Sequence, residues 1–114
     1  MRDFGWFLVE NVKLQDIPEI YKIDSESLVS HMSEDSLLER AVYYSDICFQ
    51  AVEKATGDVI GYILCSSDIH YTRSFPGFSY LSRFAVKHNY RRRGVGTALL
   101  ITLENYLLLS GKSF

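Results

Sequence analysis

Residues 85–100 read AVKHNYRRRGVGTALL: an apolar run, three consecutive arginines, a glycine pair one residue apart, and a second apolar run. The first apolar run has the β-branched and small residues of a strand end, and the second has the spacing of a helix, so the arginines stand at the junction of the two. A strand that feeds through a glycine-containing turn into a helix N-terminus presents several unpaired backbone N–H groups together with the positive end of the helix dipole. Glycines at 94 and 96 let the backbone approach a phosphate with no Cβ in the way, and Arg91, Arg92 and Arg93 add charge that neutralises a pyrophosphate. The stretch therefore reads as an anion site built for a phosphorylated ligand, although a lone G-x-G is common in turns of every kind.

Working outward, the segments on either side supply a mixed α/β context. Residues 6–12, WFLVENV, combine aromatic and branched side chains and predict a first strand. In DIPEIYKIDSESL, residues 16–28, Asp16 is expected as N-cap with Pro18 in the first turn and Glu19 completing a capping box. Ile17, Ile20, Tyr21, Ile23 and Leu28 form its apolar stripe. Residues 33–45, SEDSLLERAVYYS, predict a second helix capped by Ser33, with Glu34 and Asp35 in the first turn and Leu37, Leu38, Ala41 and Val42 on one face. ICFQAVE and VIGYILCSS flank KATGD, whose Gly57-Asp58 predicts an antiparallel hairpin. DIHYTRSFPGF, residues 68–78, reads as a surface loop, and SYLSRFAV, residues 79–86, as the next strand. A last helix runs from Gly94 or Gly96 to about Leu109, with Gly111 placed for its C-terminal cap. The expected order is β-α-α-β-β-β-α with a mostly antiparallel sheet, in a single domain over residues 1–114.

Composition bounds the function. The hydrophobic content of 47% and charged content of 23% are those of an ordinary folded domain. A formal net charge of -2 gives no global attraction for nucleic acid or an anionic membrane, so the basic patch is local. The amino terminus lacks a signal peptide's pattern and ALLITLENYLLL is broken by Glu104 and Asn105, so a cytoplasmic protein without a membrane span is expected. Cys48 and Cys65 sit in apolar segments without a CxxC spacing and read as buried reduced thiols. His31, His70 and His88 have no ligand-like spacing, so no metal site is expected.

The segment around the arginines resembles motif A of the GNAT superfamily of acetyl-CoA-dependent N-acetyltransferases, an Arg or Gln, two residues, Gly, one residue, then Gly or Ala. Arg91, Gly94 and Gly96 match it, and LSRFAV resembles the superfamily's fourth strand. The resemblance implies acetyl-CoA as the acetyl donor, a primary amine on a small molecule or protein as acceptor, and cofactor-binding residues Phe84, Ala85, Val86, Arg91, Arg92, Arg93, Gly94, Val95, Gly96 and Thr97. It implies backbone groups at 84–86 that hold the acetyl carbonyl and pantetheine arm, and a loop at 91–97 that wraps the pyrophosphate. A fixed N–H on the thioester carbonyl stabilises the oxyanion that develops when an amine attacks. No carboxylate base is visible on the fourth strand, where Tyr80 and Ser82 are the candidate catalytic groups beside ordinary packing roles. Asp24, Glu26, Glu34 and Asp35, and His70, Tyr71 and Arg73, are candidates for the acceptor side, with solvated faces as the plainer reading.

Members of the superfamily continue into a fifth strand, a fourth helix and a hairpin, whereas this chain stops at GKSF, so a partial domain is expected. The last helix is apolar nearly all round and calls for cover on more than one side, for which a homodimer is one solution. A non-catalytic CoA-binding or regulatory module and a nucleic-acid binder using KHNYRRR are the competing functions.

Overall fold

The computed structural model describes residues 1–27, 32–67 and 79–109. Five strands, β1 (Arg2–Asp3), β2 (Phe7–Asn11), β3 (Cys48–Glu53), β4 (Val59–Ser67) and β5 (Ser79–Val86), form one sheet in chain order, and each neighbouring pair is antiparallel. The helices are α1 (Ile17–Ser27), α2 (Glu34–Tyr43) and α3 (Val95–Leu109). The expected order is recovered with one addition, the short β1, which folds back to pair Arg2 with Val9 and Asp3 with Leu8. The hairpin at KATGD closes with Gly57 N–H donating to Glu53 O at 2.8 Å and Glu53 N–H to Asp58 O at 2.9 Å.

Side-chain alternation along β4 places the layers. Tyr62 hydrogen-bonds Asp24 of α1, whereas its neighbour Gly61 lies against Val95 and Leu99 of α3, so α1 and α3 cover opposite faces. The α2 helix packs beside α1. Val9, Ile20, Leu37, Ile60, Ile63, Leu64, Leu99 and Leu103 are fully buried between these layers, each stabilising the fold by about 1.5–3 kcal/mol. The pairing of β4 with β5 steps from Leu64–Arg83 to Cys65–Leu81, which leaves Ser82 as an extra residue, a bulge.

Several expectations are corrected. Asp16 does not cap α1: Leu14–Asp16 forms a single 3-10 turn that runs into the helix, and the Asp16 carboxylate accepts from Gln50 Nε2 at 2.9 Å. Pro18 removes one of the two N–H groups a cap could use, and the bond to Gln50 takes the carboxylate elsewhere. On the two helix faces the buried stripe is narrower than the sequence suggests, because Tyr21, Leu38 and Val42 are exposed while Ile17, Ile20, Ile23, Leu37 and Ala41 are buried. Ser33 does cap α2, its Oγ accepting from Ser36 N–H at 3.1 Å. In α3, Val95, Ala98, Leu99, Leu103 and Leu107 face the sheet, and Ile101, Leu108 and Leu109 remain exposed. Leu28, the loop at 68–78 and Gly111 lie outside the described residues.

The most consequential correction concerns Asp24, read as an acceptor-side or solvated carboxylate. It is wholly buried. Arg83 of β5 grips it with Nη2 to Oδ2 at 2.6 Å and Nε to Oδ1 at 3.0 Å, and the Tyr62 hydroxyl donates to Oδ1. Burial, and then the hydrogen bond to Asp24, push the Tyr62 phenol well above its ordinary value, while the bond to Asp24 keeps Arg83 still more firmly protonated. A buried pair broken on one side leaves an uncompensated charge. Asp24→Asn is therefore expected to lower stability by about 3–5 kcal/mol in urea unfolding; wild-type stability would show the pair to be dispensable.

Cys48 and Cys65 are free and buried, as expected. Burial raises the Cys48 thiol from 9.0 to about 11 and the Cys65 thiol, with a smaller push from Cys48, to about 12. Both thiols should resist a disulfide reagent at pH 8 in the native protein and react once it is denatured. Because the unfolded thiols lose protons near 9.0 and the folded ones do not, the unfolded state holds fewer protons above that pH. Stability should fall as pH rises from about 9 toward 11–12, at up to about 1.4 kcal/mol per pH unit per thiol, in unfolding measured across that range.

Candidate functional site

The end of β5 and the start of α3 are brought together by a compact turn. After Val86, Lys87 N–H donates to Ile60 O at 2.8 Å, the chain makes a single 3-10 turn at His88–Tyr90, and residues 91–94 lead into Val95. Arg91 folds back onto the strand it leaves, its Nε donating to Val86 O at 3.0 Å and its Nη2 to Ser27 Oγ on α1 at 3.3 Å. Ala98 N–H to Gly94 O, at 3.0 Å, is the first helical bond, so the amides of Val95, Gly96 and Thr97 precede any intrahelical acceptor. No acidic side chain occupies the first turn of α3 to compete with an incoming anion.

The two glycines have different reasons. Gly94 adopts φ 87, and a Cβ there would meet nothing within 4 Å, so its requirement is conformational. Gly96 is needed for approach: a Cβ would stand 3.1 Å from Phe84 Cζ and 3.7 Å from Val86 Cγ2. That contact seats the helix N-terminus directly on the end of β5, with Ala85 and Val86 buried and Phe84 half-buried. Among the described residues the strand is the last of the sheet, bonded to β4 alone, so there its outer edge carries backbone groups without a strand partner.

The three arginines, read alike from the sequence, separate here. Arg91 is bonded to Val86 O and Ser27. Arg93 lies with its guanidinium carbon 4.3 Å from the centre of the Trp6 ring and 5.6 Å from that of Tyr90. Arg92 is exposed, at φ 63, and among the described residues has no carboxylate partner. Sequence reading missed Trp6 and Glu53, whose carboxylate accepts from the Tyr90 hydroxyl at 3.0 Å, because both are distant in the chain, Trp6 in the turn before β2 and Glu53 at the end of β3. The hydrogen bond from Tyr90 to Glu53 raises the phenol's pKa.

The remaining candidates disperse. Tyr80 and Ser82 lie on β5, with Ser82 at the bulge, and their side chains fall outside the described part of the structure. His31, His70, Tyr71 and Arg73 are outside the described residues, and His88 is exposed. Glu26, Glu34 and Asp35 are solvated, whereas Asp24 is neutralised by Arg83 and closed to an amine. Among the described residues no cluster of metal-ligating side chains occurs, and no helix is long and apolar enough to cross a membrane. A separate concavity of about 760 Å³ lies along α2, lined by Met32, Leu38, Val42 and Tyr43 among others, and shares no residue with the 84–97 site.

Comparison with known proteins follows the same outline. The sequence model of the acetyltransferase (GNAT) family matches residues 14–113. An uncharacterized N-acetyltransferase of Methanocaldococcus jannaschii, MJ1530, is 32% identical over 99 residues, covering 87% of this chain and 58% of that protein, so the chain spans little more than half of this relative. Ard1 from Thermoplasma volcanium superposes with a TM-score of 0.83 at 22% identity, over 95% of this chain and 68% of that one. Diaminobutyrate acetyltransferase EctA from Paenibacillus lautus, solved with its substrate L-2,4-diaminobutyric acid and coenzyme A, gives 0.73 at 23% identity, over 87% and 57%.

Gly94→Ala should cost about 1–2 kcal/mol in urea unfolding through the left-handed backbone alone, since the methyl group has open space. A gain in stability would mean that the turn leaves that conformation at no cost.

Proposed function

The chain belongs to the GNAT acetyltransferase family, and on that premise we propose that it binds acetyl-CoA at residues 84–86 and 91–97 and transfers the acetyl group to a primary amine. The observation that carries this reading is the seating of Gly96 against Phe84 and Val86, which puts the free amides of α3 beside the edge of β5 that has no strand partner among the described residues. The cradle fits a long ligand with an anionic middle and an extended arm. The amides of Val95, Gly96 and Thr97, with the helix dipole and Arg92, meet the pyrophosphate. The outer edge of β5 at 84–86 accepts an extended, amide-containing arm as a further strand would be accepted. The coenzyme A held by EctA, whose fold this chain shares, supports the same ligand.

When bound, acetyl-CoA supplies the acetyl group as a thioester. The chain's own part is to orient that thioester along β5 and to aim a backbone N–H where negative charge develops on the carbonyl oxygen. The acceptor nitrogen gives up a proton and the departing thiolate takes one. Asp24 is not the base, because its oxygens are held by Arg83 and Tyr62, and Tyr62 keeps its proton. A second reading, CoA binding without transfer, rests on that observation: of the four carboxylates expected at the acceptor side, Asp24 is committed to structure. In this proposal residues 1–114 form one partial N-acetyltransferase domain.

Calorimetric titration of the 114-residue chain with acetyl-CoA tests the site. About micromolar affinity at unit stoichiometry, weakening as salt is raised, is expected for charge-assisted contacts to phosphate. Absence of binding by a folded sample overturns the proposal. Thiol release with a panel of primary amines then separates transfer from binding alone, and an oligonucleotide competing with CoA would favour the nucleic-acid reading.

A further inference from the structure

Arg92 and Gly94 both occupy the left-handed region, at φ 63 and φ 87, a conformation an arginine does not hold without support from its surroundings. The support is visible on each side of Arg92. On one side Arg91 is bonded to Val86 O and to Ser27. On the other, Arg93 rests on two rings, those of Trp6 and Tyr90, which are nearly parallel to each other at 17° with centroids 6.1 Å apart. Trp6 is itself fixed: its ring meets the buried Phe7 edge-on at 4.6 Å, and its carbonyl accepts from Lys54 N–H at 3.1 Å. Lys54 in turn reaches Asp3 at 2.7 Å, and the Tyr90 hydroxyl is held by Glu53. Trp6 stands in the turn between β1 and β2, ahead of the residues 14–113 that match the family, so nothing in that match assigns it a role.

We infer that Trp6 positions the 91–94 turn for its anion by stacking on Arg93, and that the Arg93 guanidinium acts as a strut, leaving Arg92 and the helix amides to meet the phosphate. The argument from chemistry favours arginine, whose flat, weakly hydrated cation stacks on aromatic faces over a larger area than an ammonium does. A turn held in its binding conformation before the ligand arrives loses less freedom on binding. The inference rests on the acetyl-CoA reading for its ligand and on the ring contacts alone for the clamp.

The test uses the full chain with Trp6→Leu, Trp6→Phe, Arg93→Lys, Arg93→Gln and Arg92→Gln. CoA affinity is measured at two salt concentrations, and amide hydrogen exchange at residues 91–97 is measured without ligand. Arg93→Gln should weaken CoA by about tenfold, Trp6→Leu to the same extent, and Arg93→Lys measurably but less, since an ammonium keeps part of the ring contact. Combining Trp6→Leu with Arg93→Gln should add little to either, and Trp6→Phe should recover much of the loss, because the contact is shared. The salt dependence should survive in the Arg93 and Trp6 variants and diminish in Arg92→Gln. Amide exchange at 91–97 should quicken in Trp6→Leu and Arg93→Lys. Wild-type affinity in Arg93→Lys, with lost affinity and lost salt dependence in Arg93→Gln, would make Arg93 a phosphate ligand and overturn the strut. Unchanged exchange and affinity in Trp6→Leu would remove Trp6 from any such role. If the wild-type chain binds no CoA, the ligand reading fails, and the exchange data alone still decide whether the clamp exists.

Discussion

The buried contact of Asp24 with Arg83 and Tyr62 ties one helix to two strands beside a bulge in the sheet. Arg83 follows the bulge at Ser82 directly, and a strand that has gained one residue has lost the ladder's own control over its register. A slip of one residue would send Phe84 to the α1 face and Arg83 toward α3. The carboxylate of α1 prevents it by accepting both guanidinium bonds and the phenol, so each side of the sheet receives its intended residues. The pair's desolvation is costly, and such a contact contributes more to the choice of one arrangement than to net stability.

From that register the site follows. With Phe84 and Val86 on the α3 face, Gly96 can seat between them, and the helix begins where β5 stops. Arg91 then reaches back to Val86 O, which closes the turn between strand and helix. Rigid elements on both flanks hold the short turn, which is how a scaffold lends accuracy to a binding segment. Membership of the GNAT family accords with this build, in which a strand end and a helix N-terminus meet.

Much of this was legible in the sequence. Gly57-Asp58 between two apolar runs predicted the hairpin, and Ser33 with Glu34 and Asp35 predicted the start of α2, because turns and caps depend on residues only a few positions apart. The residues 84–97 were also readable as one unit, since strand, turn and helix are contiguous there. Asp16 misled because a capping residue is recognised by its neighbours, while its actual partner, Gln50, lies on β3. Tyr21, Leu38 and Val42 misled because periodicity marks which positions are apolar and not how wide a stripe the neighbouring layer covers.

The chain's local chemistry thus determined the order of elements, the hairpin, and the strand–turn–helix unit that carries the three arginines, each a matter of short-range sterics and hydrogen bonding. Only the tertiary structure decided that Asp24 is a buried anchor for Arg83, that Gly94 and Gly96 serve different ends, and that three consecutive arginines have three environments. Those outcomes depend on which distant side chains arrive beside a residue: Tyr62 beside Asp24, Phe84 beside Gly96, Trp6 beside Arg93. Sheet packing sets such meetings over many residues of chain, and adjacent letters carry no record of them.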